Sequence, residues 1–367
     1  MLLRTLTVVG ARPEFVQTAP LAREIERRSG ISGGLIHTGQ HYDYEMSELF
    51  FSQLALPEPL YHLGVGSGSH GVQTGAMLAE LDRVFFAEQP DIVITHGDTN
   101  STLAAALSAA KLGITVAHVE AGLRSWNRAM PEELNRVATD HLSDLLFCPG
   151  EAAAVNLRRE GITRGVHIVG DLMQDSLAWT MRNVDASTTL DRHGLASKEY
   201  FFATIHRAEN TDDPTRLQAI LHGLERVSRD HPVVLPAHPR TRPRIRDIGV
   251  PAGIRLIDPV GHAEAMALVQ HAACVLTDSG GLQKEVYWLE TPCVTLRTET
   301  EWVETVEAGW NRLADADPIA IELAVKSALT ETPPHKKLYG DGYSARYIVD
   351  HLLALRDGNE DAPEESW

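Results

Sequence analysis

Short runs of Val, Ile and Leu alternate with longer stretches in which apolar residues recur every three or four positions. The runs are Leu2–Val9, Leu35–Thr38, Asp91–Thr95, Ile114–Val119, Asp144–Cys148 and Val166–Val169, then Tyr200–Ile205, Val233–Pro236, Ile254–Ile257, Cys274–Thr277 and Pro292–Leu296. Each is short, rich in β-branched residues and bounded by turn formers, which predicts strands buried on both faces of a parallel sheet. The stretches between them predict helices: from Pro13, from near Asp43, and over His70–Glu88, Asn100–Leu112, Pro131–His141 and Glu151–Glu160. This βα alternation runs twice, so the chain reads as α/β with two doubly wound parallel-sheet domains in tandem. The expected division is residues 1–170 and 171–343. A last helix, Ser344–Leu355, has no strand after it and could return to the first domain. Residues 356–367 are acidic and read as a disordered tail.

Three carboxylates fall where no core requires them. Asp98 follows the run Asp91–Thr95, and Glu120 follows Ile114–Val119. Both therefore stand at the carboxyl end of a strand, the edge at which open α/β sheets bind ligands. Glu132 follows Pro131 at a helix start. Asp98-Thr99 equally suits an N-cap, and Glu132 suits a first helical turn. Glu120 caps nothing obvious and needs a partner or a substrate, with Arg124 four residues on. Acids converging on one rim suit acid/base chemistry on a small molecule.

A second group follows the run Cys274–Thr277. In Asp278-Ser279-Gly280-Gly281, Ser and two Gly at a helix start expose backbone N–H groups at the positive end of the helix dipole, an anion cradle. Glu285 lies about one and a half turns into that helix, where it could accept from ribose hydroxyls or pair with an Arg. His206-Arg207 and His238-Pro239-Arg240-Thr241-Arg242 end two further strands. With Arg12, Arg124 and Arg136 they predict a local cationic patch.

That patch matters because the chain is otherwise acidic: the formal charge is −17 over 367 residues. Such a balance argues against nucleic acid or an anionic membrane surface as a partner and for a small anionic ligand. Three cysteines without a CxxC spacing fit buried, reduced thiols in a cytoplasmic protein. The N-terminus has no apolar leader, and no run approaches membrane-spanning length. Seventeen histidines form no metal-ligand spacing, so no metal is expected.

The segments GARPEF, HTGQH, HGDTNS, HVEAGLRS, MPEELNR, HRAEN, HPRT and TDSGG occur in the order of the non-hydrolysing UDP-N-acetylglucosamine 2-epimerases, and the chain resembles that family over about residues 1–355. The resemblance implies a GT-B-like architecture, two Rossmann-like domains facing a cleft, and a homodimer. It implies anti elimination of UDP from a UDP-sugar to give 2-acetamidoglucal, with re-addition after C2 is protonated on the opposite face, and no cofactor. Asp98, Glu120 and Glu132 match the family's catalytic carboxylates and His206 its histidine. Arg12 and Arg136 match phosphate contacts, Ser279, Gly280 and Gly281 the diphosphate cradle, and Glu285 the ribose contact. His238 and position 17 belong to the same substrate site, and Gln40 and His41 to a regulatory sugar-nucleotide site.

Two positions depart from the family. Gln17 stands where Lys is usual, and Trp302 where Arg is usual. The segments Gly170–Ser176, Gln283–Glu285 and Glu301–Glu304 are similar to a branch acting on UDP-2,3-diacetamido-glucuronate. The competing readings are that epimerase, a hydrolysing relative releasing UDP and free sugar, a glycosyltransferase of the same architecture, and an inactive UDP-sugar-binding protein.

Overall fold

The computed structural model describes residues 2–40, 51, 54–237, 241–331 and 333–358. The helix expected near Asp43 and residues 359–367 of the expected tail lie outside that set. The described chain forms two compact units, residues 1–178 with 339–367, and residues 179–338.

The first unit holds a seven-stranded sheet. Its strands are β1 (Leu3–Val9), β2 (Ile31–His37), β3 (Tyr61–His62), β4 (Ile92–His96), β5 (Thr115–Val119), β6 (Leu145–Cys148) and β7 (Val166–Ile168). Their order is β3-β2-β1-β4-β5-β6-β7, with every pair parallel. Strand β2 begins four residues earlier than its apolar run, at Ile31. Ser32-Gly33-Gly34 has little strand propensity, but full-length pairing with β1, from Leu3↔Ile31 to Val9↔His37, overrides it. A Cβ at Gly34 would lie 2.4 Å from Cδ1 of Leu60, so the leucine side chain packs directly over the strand there.

The last helix, Ser344–Arg356, packs in this unit. Its Ile348, Val349 and Leu352 are buried with Leu21 and Ile25 of the helix Arg12–Arg27 and with Ile92 and Ile94 of β4. Asp175 accepts from the N–H groups of Ser344 and Ala345 at 3.1 and 2.9 Å, capping that helix start. Asp175 sits in the helix Leu172–Asn183, whose first half is buried against the first unit, and Ser176 donates to the carbonyl of Val16 at 2.5 Å. The compact units therefore divide between Ala178 and Trp179, eight residues beyond the turn at Gly170-Asp171 where the sequence suggested a boundary.

The second unit holds a six-stranded parallel sheet of β8 (Phe201–Thr204), β9 (Val233–Pro236), β10 (Ile254–Ile257), β11 (Cys274–Thr277), β12 (Cys293–Thr295) and β13 (Asn311–Leu313), in the order β10-β9-β8-β11-β12-β13. Strands β3 and β13 were not expected; at two and three residues they are too short for periodicity to show.

The strand orders decide where ligands can bind. In each sheet the winding reverses beside the first strand, between β1 and β4 and between β8 and β11. At such a switch point neighbouring loops leave in opposite directions and open a crevice at the carboxyl ends of the strands. The loops there are Gly10–Arg12 and Gly97–Thr99 in the first unit, and His206-Arg207 and Asp278–Gly280 in the second. Among the described residues, no helix is long and apolar enough to cross a membrane.

Candidate active site

Asp98 leaves the end of β4 and Glu120 the end of β5, which pairs with β4 in the register His96↔Val119. Thr99, not Asp98, caps the helix Asn100–Lys111 by accepting from the N–H of Thr102 at 3.3 Å. Asp98 is thereby left to pair with Arg136 of the helix Pro131–Leu142. Burial pushes the Asp98 carboxyl above its ordinary range, the Arg136 charge opposes this, and the negative charge of Glu132 adds to it. Glu132 is exposed in the first turn of the same helix. The next residue, Glu133, is buried and holds the preceding loop, accepting from Ser125 N and Oγ and Trp126 N, each at 2.9 Å.

Glu120 has a left-handed backbone, φ +68°, which is uncommon outside glycine and costs energy the surroundings must offset. Gln17 donates its side-chain amide to Oε2 of Glu120 at 2.8 Å and is itself buried. Arg124 does not supply the partner the spacing suggested. Its guanidinium is buried between Asp140, at 2.7 Å, and a bidentate contact to Glu160, at 2.7 Å for both bonds. It is therefore not part of an accessible cationic patch, and Arg136, Arg207 and Arg242 likewise face acids, Asp98, Glu301 and Asp258. Of the cations gathered at strand ends, Arg124, Arg136, Arg207 and Arg242 are thus each balanced by a carboxylate from another part of the chain.

The loop after β1 is held from below. Glu14 is buried and accepts from the N–H groups of Gly10 and Ala11 and from the hydroxyls of Thr99, at 2.6 Å, and Thr102, at 3.2 Å. It ties the loop that leads into Arg12, an exposed residue at the helix start, to the loop carrying Asp98. Burial raises the Glu14 carboxyl to about 7, although all four hydrogen bonds oppose the shift. Gln40 lies beside the start of the helix Asn100–Lys111 and accepts from Ser101 N and Oγ at 3.0 and 2.7 Å. His41 and His238, and with them Arg240, lie outside the described residues.

In the second unit, Ser279 caps the helix Gly280–Trp288. A Cβ on Gly281 would meet nothing within 4 Å, so open space lies over this helix start, as an anion cradle requires. Asp278 is fully buried and organises the crevice. It accepts from the backbone N–H groups of His206 and Arg207, at 3.1 and 3.0 Å, and from Asn210 Nδ2 at 3.1 Å. It also pairs with His206 Nδ1 at 3.1 Å. The hydrogen bond that the His206 imidazole donates to Asp278 raises it above its ordinary value against the effect of burial. Glu285 is paired with His262, 2.6 Å away, and not with an Arg. Burial lowers the His262 imidazole, but the Glu285 hydrogen bond and charge outweigh it and the net shift is upward. Trp302 donates its indole N–H to the carbonyl of Gly280 at 2.9 Å and lies under the Lys284 ammonium, 4.1 Å from the ring centroid. Glu301 is held by Arg297 at 2.8 and 2.9 Å.

The structure thus brings Gln17 to Glu120 and Arg136 to Asp98 at adjoining strand ends of the first unit, and His206 beside the Ser279–Gly281 helix start in the second. Glu14, His118, Asp140, Asp278 and His262 were missed. A sequence signal existed for His96 and His118: an imidazole inside a buried strand run must find a partner. His118 does, through Asp140 and the Gly97 carbonyl, while both ring nitrogens of His96 are buried without one.

Two parallel α/β sheets, with acids at one switch point and an open, Ser-capped helix start at the other, define a nucleotide-sugar type of protein with a GT-B-like fold. The chain belongs to the UDP-N-acetylglucosamine 2-epimerase family, whose profile matches residues 23–353. It is 45% identical over 361 residues to a UDP-N-acetylglucosamine 2-epimerase homolog of Methanococcus maripaludis, covering 96% of this chain and all of that one. It is 45% identical over 359 residues to the UDP-2,3-diacetamido-2,3-dideoxy-D-glucuronate 2-epimerase of Pseudomonas aeruginosa, with the same coverage. The solved UDP-GlcNAc 2-epimerase of Methanocaldococcus jannaschii superposes with a TM-score of 0.87 at 40% identity, over 96% of this chain and 99% of that one. A structure of that enzyme with UDP-GlcNAc and UDP gives 0.76 at 41% identity, with the same coverage.

Proposed function

We propose that this protein is an isomerase that inverts C2 of a UDP-linked N-acetylamino sugar, interconverting UDP-GlcNAc and UDP-ManNAc. A carboxylate takes the C2 proton, the C–H electron pair becomes the C1=C2 double bond, and the C1–O pair leaves with UDP. The intermediate is 2-acetamidoglucal. UDP then returns to C1 while C2 receives a proton on the opposite face. The second unit binds the nucleotide: the Ser279–Gly281 helix start takes the diphosphate, Glu285 the ribose hydroxyls, and His206 and Arg207 add positive charge for the departing phosphate. Asp98, Glu120 and Glu132 handle the protons, and Arg12 and Arg136 stabilise the leaving anion.

The observation that carries this reading is the placement of Asp98 and Glu120 at adjoining strand ends, in unlike surroundings. Asp98 is buried against Arg136 with its carboxyl raised, whereas Glu120 is held by a neutral amide. Two proton-handling groups with separate environments are what inversion through two faces demands. Function as a homodimer belongs to the same proposal.

A second substrate is favoured by a specific residue. Trp302 fixes the Gly280 peptide, and the Trp302 segment is similar to the branch acting on UDP-2,3-diacetamido-glucuronate, a relative of which is 45% identical to this chain. Incubation of each UDP-sugar in D₂O tests both. Deuterium at C2 of the recovered UDP-sugar marks epimerisation, and its rate on the two substrates ranks them. Release of free sugar without exchange points to hydrolysis, and neither product means the reading is wrong.

A further inference from the structure

Behind the two strand ends lies a buried chain of charged groups that does not reach the reaction itself. Asp140 is 1% exposed and His118 is fully buried. Oδ1 of Asp140 meets Nδ1 of His118 at 2.7 Å, and Nε2 of His118 meets the carbonyl of Gly97, the residue before Asp98, at 2.8 Å. Oδ2 of Asp140 accepts from the N–H of Gly122, two residues after Glu120, at 3.1 Å and from Arg124 at 2.7 Å. One carboxylate therefore holds both loops. Asp140 also stands four residues after Arg136 and eight after Glu132, on the same face of their helix. Since Arg136 pairs with Asp98, the contacts close a ring from Asp98 through Arg136, the helix, Asp140, His118 and Gly97 back to Asp98.

The backbone that the ring holds is unfavourable at Glu120, between two glycines that take left-handed φ freely. Gly97, Glu120 and Gly122 all have left-handed φ, +62°, +68° and +80°, and a Cβ on Gly122 would lie 2.4 Å from the carbonyl oxygen of Ala153. At a residue other than glycine, here Glu120, such a conformation persists only where the surroundings over-determine it. Burying a carboxylate, an imidazole and a guanidinium together is costly unless each is paired, and here each is.

We propose that His118 and Asp140 form a positioning pair that sets Asp98 and Glu120 in register for proton transfer. The proposal rests on the epimerase reading above. The pair touches no substrate and acts through the Gly97 carbonyl and the Gly122 amide. A Gln at position 118 reaches one of its two partners but not both. An Asn at position 140 keeps an oxygen for one loop and loses the charge that holds Arg124.

The test compares wild type with His118→Gln and Asp140→Asn. The expected result is a kcat lower by about 10- to 100-fold with KM and UDP affinity within about twofold of wild type, because the nucleotide residues belong to the other unit. A second readout does not need turnover. The groups whose charge acts on the Asp98 carboxyl are Arg136, Glu132 and His118. Carbon-13 NMR titration of labelled aspartate, with Asp98 assigned through Asp98→Asn, should show Asp98 titrating at higher pH in His118→Gln. If Asp98 titrates alike in both proteins and kcat stays within twofold, the pair does not position it. A kcat that falls only in step with the folded fraction, or two variants that do not fold, makes the pair structural and overturns the proposal. Absence of C2 exchange in wild type sinks the epimerase reading instead, and the titration still decides the pairing.

Discussion

The buried side chain of Gln17 donates to Glu120 across 103 positions of sequence, at 2.8 Å. A neutral amide thus steadies a carboxylate at a strand end where the family usually has a cation. The resemblance places position 17 in the substrate site, and its side-chain amide meets Glu120.

Removing that contact should slow turnover without loosening the nucleotide. A hydrogen bond to a charged group is worth about 1.5–3 kcal/mol, which corresponds to roughly tenfold to a hundredfold in rate. Gln17→Ala is expected to lose kcat within that range, with UDP affinity unchanged by calorimetry. Gln17→Lys places a cation beside Glu120 and favours its ionised form, so the acidic limb of the pH–rate profile should move to lower pH. An unmoved limb in the Lys variant would show that Glu120 does not set it.

The three acids carry separate expectations. Asp98→Asn, Glu120→Gln and Glu132→Gln should each reduce turnover by about 10²-fold or more with an unchanged melting curve. Near-normal turnover in Glu120→Gln would remove it from the reaction.

Glu14 gives stability a defined pH dependence. Its folded value, about 7, lies above its ordinary 4.5, so the protonated form favours the fold. That contribution is complete below about pH 4.5 and is lost as pH rises through 7, an effect of roughly 3 kcal/mol at most. Asp140 and Asp278 shift the other way, and their contributions are lost on the acid side. Glu14→Gln preserves the shape and can donate to the Thr99 and Thr102 hydroxyls. Denaturant melts at pH 5 and 8 should show wild type losing more stability than the variant between the two, the remaining loss in the variant coming from groups such as Asp175, raised to about 6; equal slopes in the two proteins would refute this role.

The nucleotide site should answer to two residues. Glu285→Ala is expected to weaken UDP itself about tenfold, the size of one or two lost hydrogen bonds. Trp302→Phe keeps a ring beneath Lys284 but removes the donor to the Gly280 carbonyl, and a smaller loss, about two- to tenfold, is expected. Calorimetry with UDP reads both, and wild-type affinity in Glu285→Ala would place the ribose elsewhere.

Much of this molecule was legible in its sequence. Short β-branched runs bounded by turn formers, such as the one holding Ile92–Ile94, read as buried parallel strands. A Ser-Gly-Gly after a strand, or an acid after one, announces an edge where ligands bind. Those signals are local, since they depend on a few consecutive residues. The partners of the same residues were not legible. Glu14 meets Thr99 across 85 positions, Asn210 meets Asp278 across 68, and His118 meets Asp140 across 22. Residue type shows that a buried carboxylate needs donors but not which donors the winding of the sheet will deliver. The same limit hid the acids that balance Arg124, Arg136, Arg207 and Arg242, and hid the partner of Gln17 until β5 brought Glu120 beside it. Sequence determined the sheets and the edge. Tertiary structure decided which charges stand free, which are balanced, and which acid each supporting residue holds, because those are contacts between elements far apart in the chain.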